Sequence, residues 1–165
     1  MGNFQHTPNI DAVHWFVEEV MPLVIQKTPH FEFWVVGKNP PISVTSITSP
    51  SFLVKGWVED LDELLSQIRL NVAPLRYGAG VKGKISHALS MGLPTVTTSI
   101  GAEGMNLTNS MNIEIADTPE AFAEKIDLLI HNDQHWVKIS QAGQLSAEKH
   151  FGFDHARRTL NEILV

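Results

Sequence analysis

Three glycines and two lysines stand together at the start of a predicted helix, in the segment "APLRYGAGVKGKISHALSMG" that begins at Ala73. The apolar run "LNVAP" just before it is typical of a buried strand, and Gly78 and Gly80 allow a tight turn from strand to helix. The unpaired backbone N–H groups of a first helical turn, together with the helix dipole, attract anions. This spacing predicts an anion site, and a phosphate group is its natural occupant.

The two lysines of this segment are candidate phosphate ligands. Lys82 lies in the predicted first turn and is the preferred partner, and Lys84 is the second. Lys84 and His87 share a face of the helix, because residues three apart on a helix are neighbours. The buried face is predicted to consist of apolar residues at helical spacing, namely Val81, Ile85, Ala88 and Leu89. An alternative stays open, in which both lysines are solvated charges and the glycines serve only the turn.

The charge of the chain is unevenly distributed. Its formal net charge is −6 at pH 7, which argues against a general nucleic-acid binder because such proteins need a dominant basic surface. Between Glu63 and Glu103 there is no carboxylate, whereas four basic side chains fall in that window: Arg69, Arg76, Lys82 and Lys84. A local basic region in an acidic protein favours a small anionic ligand over a polymer.

Composition excludes or disfavours several kinds of site and compartment. The 165 residues include no cysteine, so disulfide bonds and thiolate metal sites are impossible, and a reducing cytoplasm is expected. His131 and His135 are separated by a predicted helix break at Asn132 and Asp133, and no metal-binding motif is present, so no metal or other cofactor is expected. No apolar run approaches the roughly 18 residues of a membrane helix, so no transmembrane segment is predicted.

Strand and helix patterns alternate along the chain. An amphipathic helix begins near Pro8 and should bend at Pro22. Strands are predicted at 31–37, 51–56, 70–74, 94–98 and 112–116, and further helices at 60–68, 80–92, 118–131, 133–150 and 154–165. This alternation is typical of an α/β domain with a doubly wound, Rossmann-like parallel sheet, in which ligands bind beyond the carboxyl ends of the strands. We expect one domain over residues 1–165, with a first strand that is truncated near Gly2.

Two further patterns leave alternatives open. The run "GAGVKG" has the glycine spacing of a dinucleotide-binding motif, although three residues separate it from its strand and the next strand, "PTVTT", ends without an acid. Trp57 follows the predicted end of a strand, where its ring would either stack on a base or pack internally. The other tryptophans are predicted to pack in the core or between helices: Trp15, Trp34 and Trp136.

Several segments together resemble the C-terminal, donor-binding half of a GT-B glycosyltransferase. They are "GNFQHTPNIDAVHWFVEEVMPLV", "FWVVGKNPP", "VKGWVEDLDELL" and "LNVAPLRYGAGVKGKISHALSMGLPTVTTSIGAEGM". The similarity is to the retaining, nucleotide-sugar-dependent enzymes known as group 1 glycosyltransferases. It implies that a nucleoside diphosphate sugar binds here without a metal, and that an N-terminal domain absent from this chain binds the acceptor. It also implies polysaccharide or glycoconjugate synthesis in the cytoplasm, with peripheral attachment to the inner face of the membrane left open for the full-length protein.

The resemblance assigns roles to three groups of residues. The loop and helix start would cradle the diphosphate, through Arg76, Tyr77, Gly78, Ala79, Gly80, Val81 and Lys82, with Lys84 beside them. The nucleobase would be bordered by Gly56, Trp57 and Val58. Gly2 and Asn3 would approach the phosphates from the opposite side. Lys82 and Arg76 would act in catalysis by stabilising the departing diphosphate.

Two positions depart from the family pattern. Many members carry two glutamates eight positions apart around this helix, where the present chain has Ala79 and His87. His87 is predicted either to hydrogen-bond a ribose hydroxyl or to be an exposed helix histidine. Two alternatives to a glycosyltransferase remain, an NAD(P)-binding domain of an oxidoreductase and a non-catalytic interaction domain. We expect the chain by itself to bind nucleotide weakly and to transfer no sugar.

Overall fold

The computed structural model describes residues 1–152 and residue 157 of the chain. The strands are β1 (Gly2–Asn3), β2 (Phe33–Lys38), β3 (Phe52–Gly56), β4 (Asn71–Ala73), β5 (Thr95–Thr97) and β6 (Glu114–Ile115). The helices are α1 (Thr7–Trp15), α2 (Met21–Lys27), α3 (Ile42–Thr45), α4 (Leu61–Leu65), α5 (Gly83–Ser90), α6 (Ser99–Ala102), α7 (Pro119–His131) and α8 (Asp133–Phe151). The predicted helix at 154–165 lies outside the described residues, apart from Arg157.

The described strands form two parallel three-stranded sheets. One sheet has the order β1-β2-β3 and the other has the order β4-β5-β6. Gly2 pairs with Gly37, and Val36 pairs with Gly56, so the carboxyl ends of the first three strands meet at one edge. A cavity of ≈ 380 Å³ is lined by residues of both β2 and β4. The predicted Rossmann-like α/β architecture with parallel strands is confirmed.

The first helical segment is interrupted just before Pro22, as the sequence predicts. A π-helical stretch, Phe16–Val20, separates α1 from α2. Pro22 has no N–H to donate to the carbonyl of Glu18, four residues earlier, and the regular α-helical hydrogen-bond pattern fails there. Phe16 is nevertheless fully buried, and its ring centroid lies 4.2 Å from that of Phe33 in β2. The π-helical stretch therefore still packs on the first sheet through Phe16.

The boundaries of the last two helices follow their capping residues. The Thr118 hydroxyl accepts a hydrogen bond from the Ala121 N–H at 3.3 Å and begins α7. Asn132 ends that helix, and its side-chain oxygen accepts from the His135 N–H at 2.9 Å to begin α8. The predicted break between His131 and His135 is confirmed. Among residues 1–152, no three histidine or carboxylate side chains are grouped so that they could hold a metal ion.

Two of the tryptophans that were predicted to pack in the core or between helices are only half-buried, namely Trp34 and Trp136. Trp15 is buried, as expected. In contrast, the ring of Trp34 is covered by the Lys55 ammonium, 4.0 Å from its centroid, and that of Trp136 by the guanidinium of Arg69 at 5.1 Å. Successive side chains of a strand point to opposite faces, so Trp34 lies on the face opposite the buried Phe33 and Val35, where Lys55 covers its ring. These two tryptophans therefore lie at the border of the core.

Several predicted elements are shorter than the sequence suggests. The strand expected at 112–116 is reduced to β6, and the helix expected at 60–68 is reduced to α4. Two single-turn helices, α3 and α6, were not predicted because four residues show no apolar periodicity. The order of the predicted strands and helices is correct, and α7 and α8 also have nearly the predicted bounds.

A buried ionic cluster lies at the start of β6. The Glu114 side chain is fully buried, and its carboxylate accepts a hydrogen bond from the Ser110 hydroxyl at 3.1 Å. The same carboxylate lies 2.6 Å from the Lys125 Nζ of α7 and 2.6 Å from the His135 Nε2 of α8. One carboxylate thus joins the strand to both of the following helices.

We expect Lys125→Met to lower the free energy of unfolding by about 3–5 kcal/mol, because it leaves the Glu114 carboxylate buried without its lysine. Lys27→Met is the matched control, since Lys27 pairs with Asp127 at the surface, at 3.6 Å, and such pairs contribute at most about 1 kcal/mol. Urea unfolding measures both variants. Equal losses would show that the buried cluster is no more important than a surface pair.

Candidate functional site

The turn between β4 and α5 has the backbone that its glycines predict. Gly78 (φ 124°) and Gly80 (φ 79°) both lie in the region that favours glycine. Helix α5 begins at Gly83, and Lys82 is its N-cap residue, with a non-helical backbone and no side-chain capping bond. The amino end of α5 therefore lacks the side-chain cap that would otherwise compete with an anion for its first amides.

Val81 does not belong to the buried face of this helix, contrary to the prediction. Its side chain is 61% exposed, because the chain is still in the loop at that position and becomes helical two residues later. Ile85, Ala88 and Leu89 are fully buried, as predicted. The exposed loop thus runs from Arg76 to Val81, and the predicted diphosphate cradle lies at its end.

Lys82 is buried at the amino end of α5. It is 7% exposed, which is rare for a lysine. Its Nζ atom has no hydrogen-bond partner within the part of the chain that the structure describes. Burying an ammonium group without an acceptor is unfavourable, and a bound anion would remove that cost. Lys82 is therefore the strongest candidate ligand for a phosphate.

Lys84 is partly buried and is engaged by the first turn of α1. Its Nζ donates a hydrogen bond to the Oδ1 atom of Asn9, and burial lowers the pKa of Lys84 to about 8. The Nδ2 atom of Asn9 donates in turn to the backbone carbonyl of Asn3, at 2.7 Å. A Cβ atom on Gly2 would lie 2.7 Å from that same Nδ2. The structure therefore joins strand β1 to α5 through Asn9.

Arg76 is paired with a carboxylate of α1. Its Nε donates to Oδ2 of Asp11 at 2.9 Å and its Nη2 donates to Oδ1 at 2.5 Å. This bidentate bonding to Asp11 raises the pKa of Arg76 further above its ordinary value. The side chains of Arg76 and Asp11 are 47% and 21% exposed. In the free protein, the guanidinium is thus turned to Asp11.

His87 is also paired. Its Nε2 lies 2.7 Å from Oδ1 of Asp62, which belongs to α4. The tautomer that carries hydrogen on Nε2 donates to this carboxylate. His87 is therefore neither an isolated surface histidine nor a member of one cluster with Lys84, because the two side chains have different partners. Ala79, at the other departure from the family pattern, is exposed in the loop.

The predicted nucleobase border lies at the end of β3. Gly56 has a positive φ of 66°, and Trp57 beyond it is 61% exposed, so its ring is not a core residue. The Lys38 Nζ, at the end of β2, lies 5.6 Å from the Trp57 ring centroid. Val58 is half-buried beside them. The ring is available for stacking at the edge where the ends of β1, β2 and β3 meet.

Two residues of this site were not predicted from the sequence. Asn9 and Asp11 belong to the first turns of α1, but their partners are distant in the chain, at Lys84 and Arg76. The segment "PNID" offers no pattern of its own that indicates those contacts. Only the fold, which places α1 beside the β4–α5 loop, brings them together.

The lowered pKa of Lys84 predicts a stability that depends on pH. Between the folded pKa of about 8 and the ordinary value of 10.5, the unfolded chain binds a proton that the folded chain has released. The free energy of unfolding should therefore rise across this interval, by roughly 3 kcal/mol in all. Urea unfolding at a series of pH values between these limits measures the rise.

Lys84→Met should remove this contribution, whereas Lys149→Met, at an exposed position on α8, should leave it unchanged. The quantity to compare is the slope of the free energy of unfolding against pH. If the wild type and both variants have the same slope, Lys84 is not the group responsible.

Comparison with known proteins places the chain in a family. Residues 1–132 match the family described as "Glycosyl transferases group 1". A protein of Klebsiella pneumoniae described as "Uncharacterized 44.6 kDa protein in cps region" is 27% identical over 135 residues, which are 76% of this chain and 35% of that protein. The chain thus spans about a third of that relative.

Solved structures share the fold. The structure of Anabaena Alr3699/HepE in complex with UDP and glucose has a TM-score of 0.75 at 17% identity, over 89% of this chain and 44% of that one. A glycosyltransferase from Rickettsia africae has a TM-score of 0.76 at 19% identity, over 90% and 44%.

The C-terminal domain of the group 1 glycosyltransferase LpcC from Francisella tularensis has a TM-score of 0.71 at 15% identity, over 90% of this chain and 82% of that domain. The chain therefore corresponds to about half of the full-length neighbours but to most of an isolated C-terminal domain. Among the described helices, none has the length and apolarity needed to span a bilayer. With four-fifths of its residues matched by the family, the chain belongs to the group 1 glycosyltransferases.

Proposed function

We propose that this chain is the donor-binding domain of a glycosyltransferase and that it holds the diphosphate of a nucleotide sugar at the β4–α5 turn. The observation that carries the proposal is the buried Lys82 ammonium, which has no acceptor among the described residues and stands at an uncapped helix end. A diphosphate supplies the missing acceptors, and the amides of α5 supply further donors. Residues 1–165 form one domain in this proposal.

The chemistry follows from where charge develops. When the bond between the anomeric carbon of the sugar and the diphosphate oxygen breaks, the leaving diphosphate gains negative charge. Lys82 and the first amides of α5 are held in place before the reaction, so they stabilise this charge without rearranging. Lys82 is thus one catalytic residue that this domain contributes, and Arg76 at the start of the same loop is the second. Retention of the anomeric configuration is proposed from the family resemblance.

The other residues border the donor. The exposed Trp57 ring, with Gly56 and Val58, borders the nucleobase, and His87 with its Asp62 partner faces the ribose side of α5. The remaining loop residues line the path of the diphosphate: Tyr77, Gly78, Ala79, Gly80 and Val81. Gly2 and Asn3 close the opposite side, where Asn9 fixes the Asn3 carbonyl.

The acceptor and the second half of the cleft belong to an N-terminal domain of the parent protein. Such a parent would work in the cytoplasm, with peripheral attachment to the inner membrane face, in polysaccharide or glycoconjugate synthesis. The cps region named for the Klebsiella pneumoniae relative supports the polysaccharide assignment. The UDP bound in the Anabaena structure makes UDP the first nucleotide to test.

Calorimetric titration of the chain with UDP, GDP, NAD and NADP tests the proposal directly. Binding of UDP or GDP, with no response to either dinucleotide, is the expected result. Binding of NAD or NADP alone would favour the oxidoreductase alternative. A chain that binds none of the four, alone or joined to its N-terminal half, would be a non-catalytic interaction domain.

Lys82→Met separates ligand binding from folding. The variant should raise the Tm of the free protein, because it removes a buried ammonium for which residues 1–152 provide no acceptor. It should also weaken the binding of the nucleoside diphosphate by roughly 10- to 100-fold, because a hydrogen bond to a charged group is lost. Thermal unfolding with and without nucleotide measures both effects.

Lys149→Met, at an exposed position of α8, is the control for the change in net charge. It should alter neither the Tm nor the affinity. If the Lys82→Met variant binds nucleotide as tightly as the wild type, Lys82 does not contact the nucleotide.

A further inference from the structure

An ion pair between Asp11 and Arg76 joins helix α1 to the start of the β4–α5 loop. The Nε atom of Arg76 donates to Oδ2 of Asp11 at 2.9 Å, and its Nη2 atom donates to Oδ1 at 2.5 Å. A carboxylate bound through both oxygens in this way occupies one edge of the planar guanidinium. The two residues are 65 positions apart in the sequence, so the pair forms only because the fold places α1 beside the loop.

This bonding leaves the rest of the guanidinium open. An arginine side chain has five N–H donors, and Asp11 accepts from one on Nε and one on Nη2. The three other N–H groups of Arg76 make no hydrogen bond with the residues that the structure describes. The side chain is also 47% exposed. An anion can therefore bind to Arg76 while the bonds to Asp11 stay in place.

We propose that Asp11 is a positioning residue, which holds the Arg76 side chain by one edge so that its free edge meets the diphosphate. Asp11 itself does not contact the donor. This inference rests on the proposed function, in which Arg76 is a catalytic residue of the same site. It adds a carboxylate of α1 to the residues on which that site depends.

The two partners differ in how firmly the fold holds them. Asp11 stands on α1, three residues after Pro8, and the Pro8 ring packs 3.7 Å from the Cβ position of Gly78 in the loop. Arg76, in contrast, begins an exposed loop in which Gly78 and Gly80 both have positive φ. The helix is thus the rigid partner, and the ion pair transmits its position to the arginine.

Positioning is important because arginine is a long side chain with many rotamers. A ligand that has to order such a side chain loses part of its binding free energy. Here the guanidinium is held by Asp11 before the ligand arrives. The same preorganisation favours the transition state, because the leaving diphosphate gains charge beside a cation that does not have to move.

Calorimetric titration of Asp11→Asn and of the wild type with UDP tests the proposal, and GDP replaces UDP if the chain prefers it. The substitution turns one acceptor oxygen into an NH2 donor, so the two-point bonding to Arg76 fails. Binding should weaken by about 3- to 10-fold, because the ligand must then order the arginine. Equal or tighter binding by the variant would overturn the proposal, since Asp11 would then be irrelevant or would compete with the diphosphate.

Arg76→Gln and the double variant show whether Asp11 acts through Arg76. Arg76→Gln should weaken UDP binding by roughly 10- to 100-fold, because hydrogen bonds from a charged group are lost. Adding Asp11→Asn to Arg76→Gln should cause no further loss, since the group that Asp11 positions is gone. If Asp11→Asn causes the same loss in both backgrounds, Asp11 acts on the fold as a whole, and the positioning role is refuted.

Two more variants separate geometry from charge. Asp11→Glu keeps a carboxylate and should recover part of the affinity that Asp11→Asn loses. Asp127→Asn is the matched control, because Asp127 is a partly exposed helical carboxylate that pairs with Lys27 and His131. It should leave UDP binding unchanged. A loss in Asp127→Asn as large as that in Asp11→Asn would make the net charge, and not the ion pair, responsible.

A further readout needs no ligand. Hydrogen exchange of the Arg76 Nε–H group, followed by NMR in the free protein, should be slow in the wild type because this group donates to Asp11. Exchange should become faster in Asp11→Asn and stay slow in Asp127→Asn. The same rate in the wild type and in Asp11→Asn would show that Asp11 does not hold the guanidinium in solution.

Failure of this inference can be told apart from failure of the proposed function. A wild-type chain that binds UDP or GDP, with an Asp11→Asn variant that binds it equally well, refutes only the role of Asp11. A wild-type chain that binds no nucleoside diphosphate overturns the proposed function and, with it, the positioning role of Asp11.

Discussion

A buried ammonium group that has no acceptor among the described residues is the feature on which the proposed site depends. Lys82 has lost its water, since it is 7% exposed, and the described residues give its Nζ no partner in return. Burying an unpaired ammonium group costs free energy. A bound anion offsets that cost, so anion binding at this position is favourable. The same contact becomes more favourable as a leaving diphosphate gains charge, which is the condition for an interaction to raise a rate as well as an affinity. A solvent-exposed lysine at the same position would increase the affinity and the rate much less.

On the other side of the proposed site, the backbones of β1 and β2 lie close together because both strands have glycine there. A Cβ atom on Gly37 would collide with the carbonyl oxygen of Gly2, so glycine lets β1 lie against the end of β2. A Cβ atom on Gly2 would meet the side-chain amide of Asn9, which is the group that holds Asn3. These glycines are explained by packing between β1, β2 and α1 without any contact to a phosphate. They also allow Asn9 to lie between the first strand and Lys84.

The sequence predicted the order of strands and helices, the parallel architecture and the glycine turn, because each depends on local patterns of apolar residues, glycine and proline. It placed Val81 on the buried face of a helix that begins only at Gly83, since apolar spacing alone cannot show where a loop ends. It proposed Arg76 as a phosphate ligand, but it could not predict that the structure pairs this residue with Asp11. Contacts between α1 and the β4–α5 loop join residues far apart in the chain, and no pattern within either segment encodes them. For that reason, the candidate ligands could be predicted from the sequence but their contacts with α1 could not.

The departures from the family pattern do not by themselves favour a non-catalytic domain. At the second of the two positions where many relatives have glutamate, this chain has His87, but a carboxylate is still present there because Asp62 of α4 lies 2.7 Å from the imidazole. An imidazole that donates to a carboxylate has its second ring nitrogen free to accept a hydrogen bond from a hydroxyl. The structure thus places a carboxylate of α4 beside His87 of α5. Ala79 has no such replacement within its loop, because none of the residues from Arg76 to Val81 is an acid.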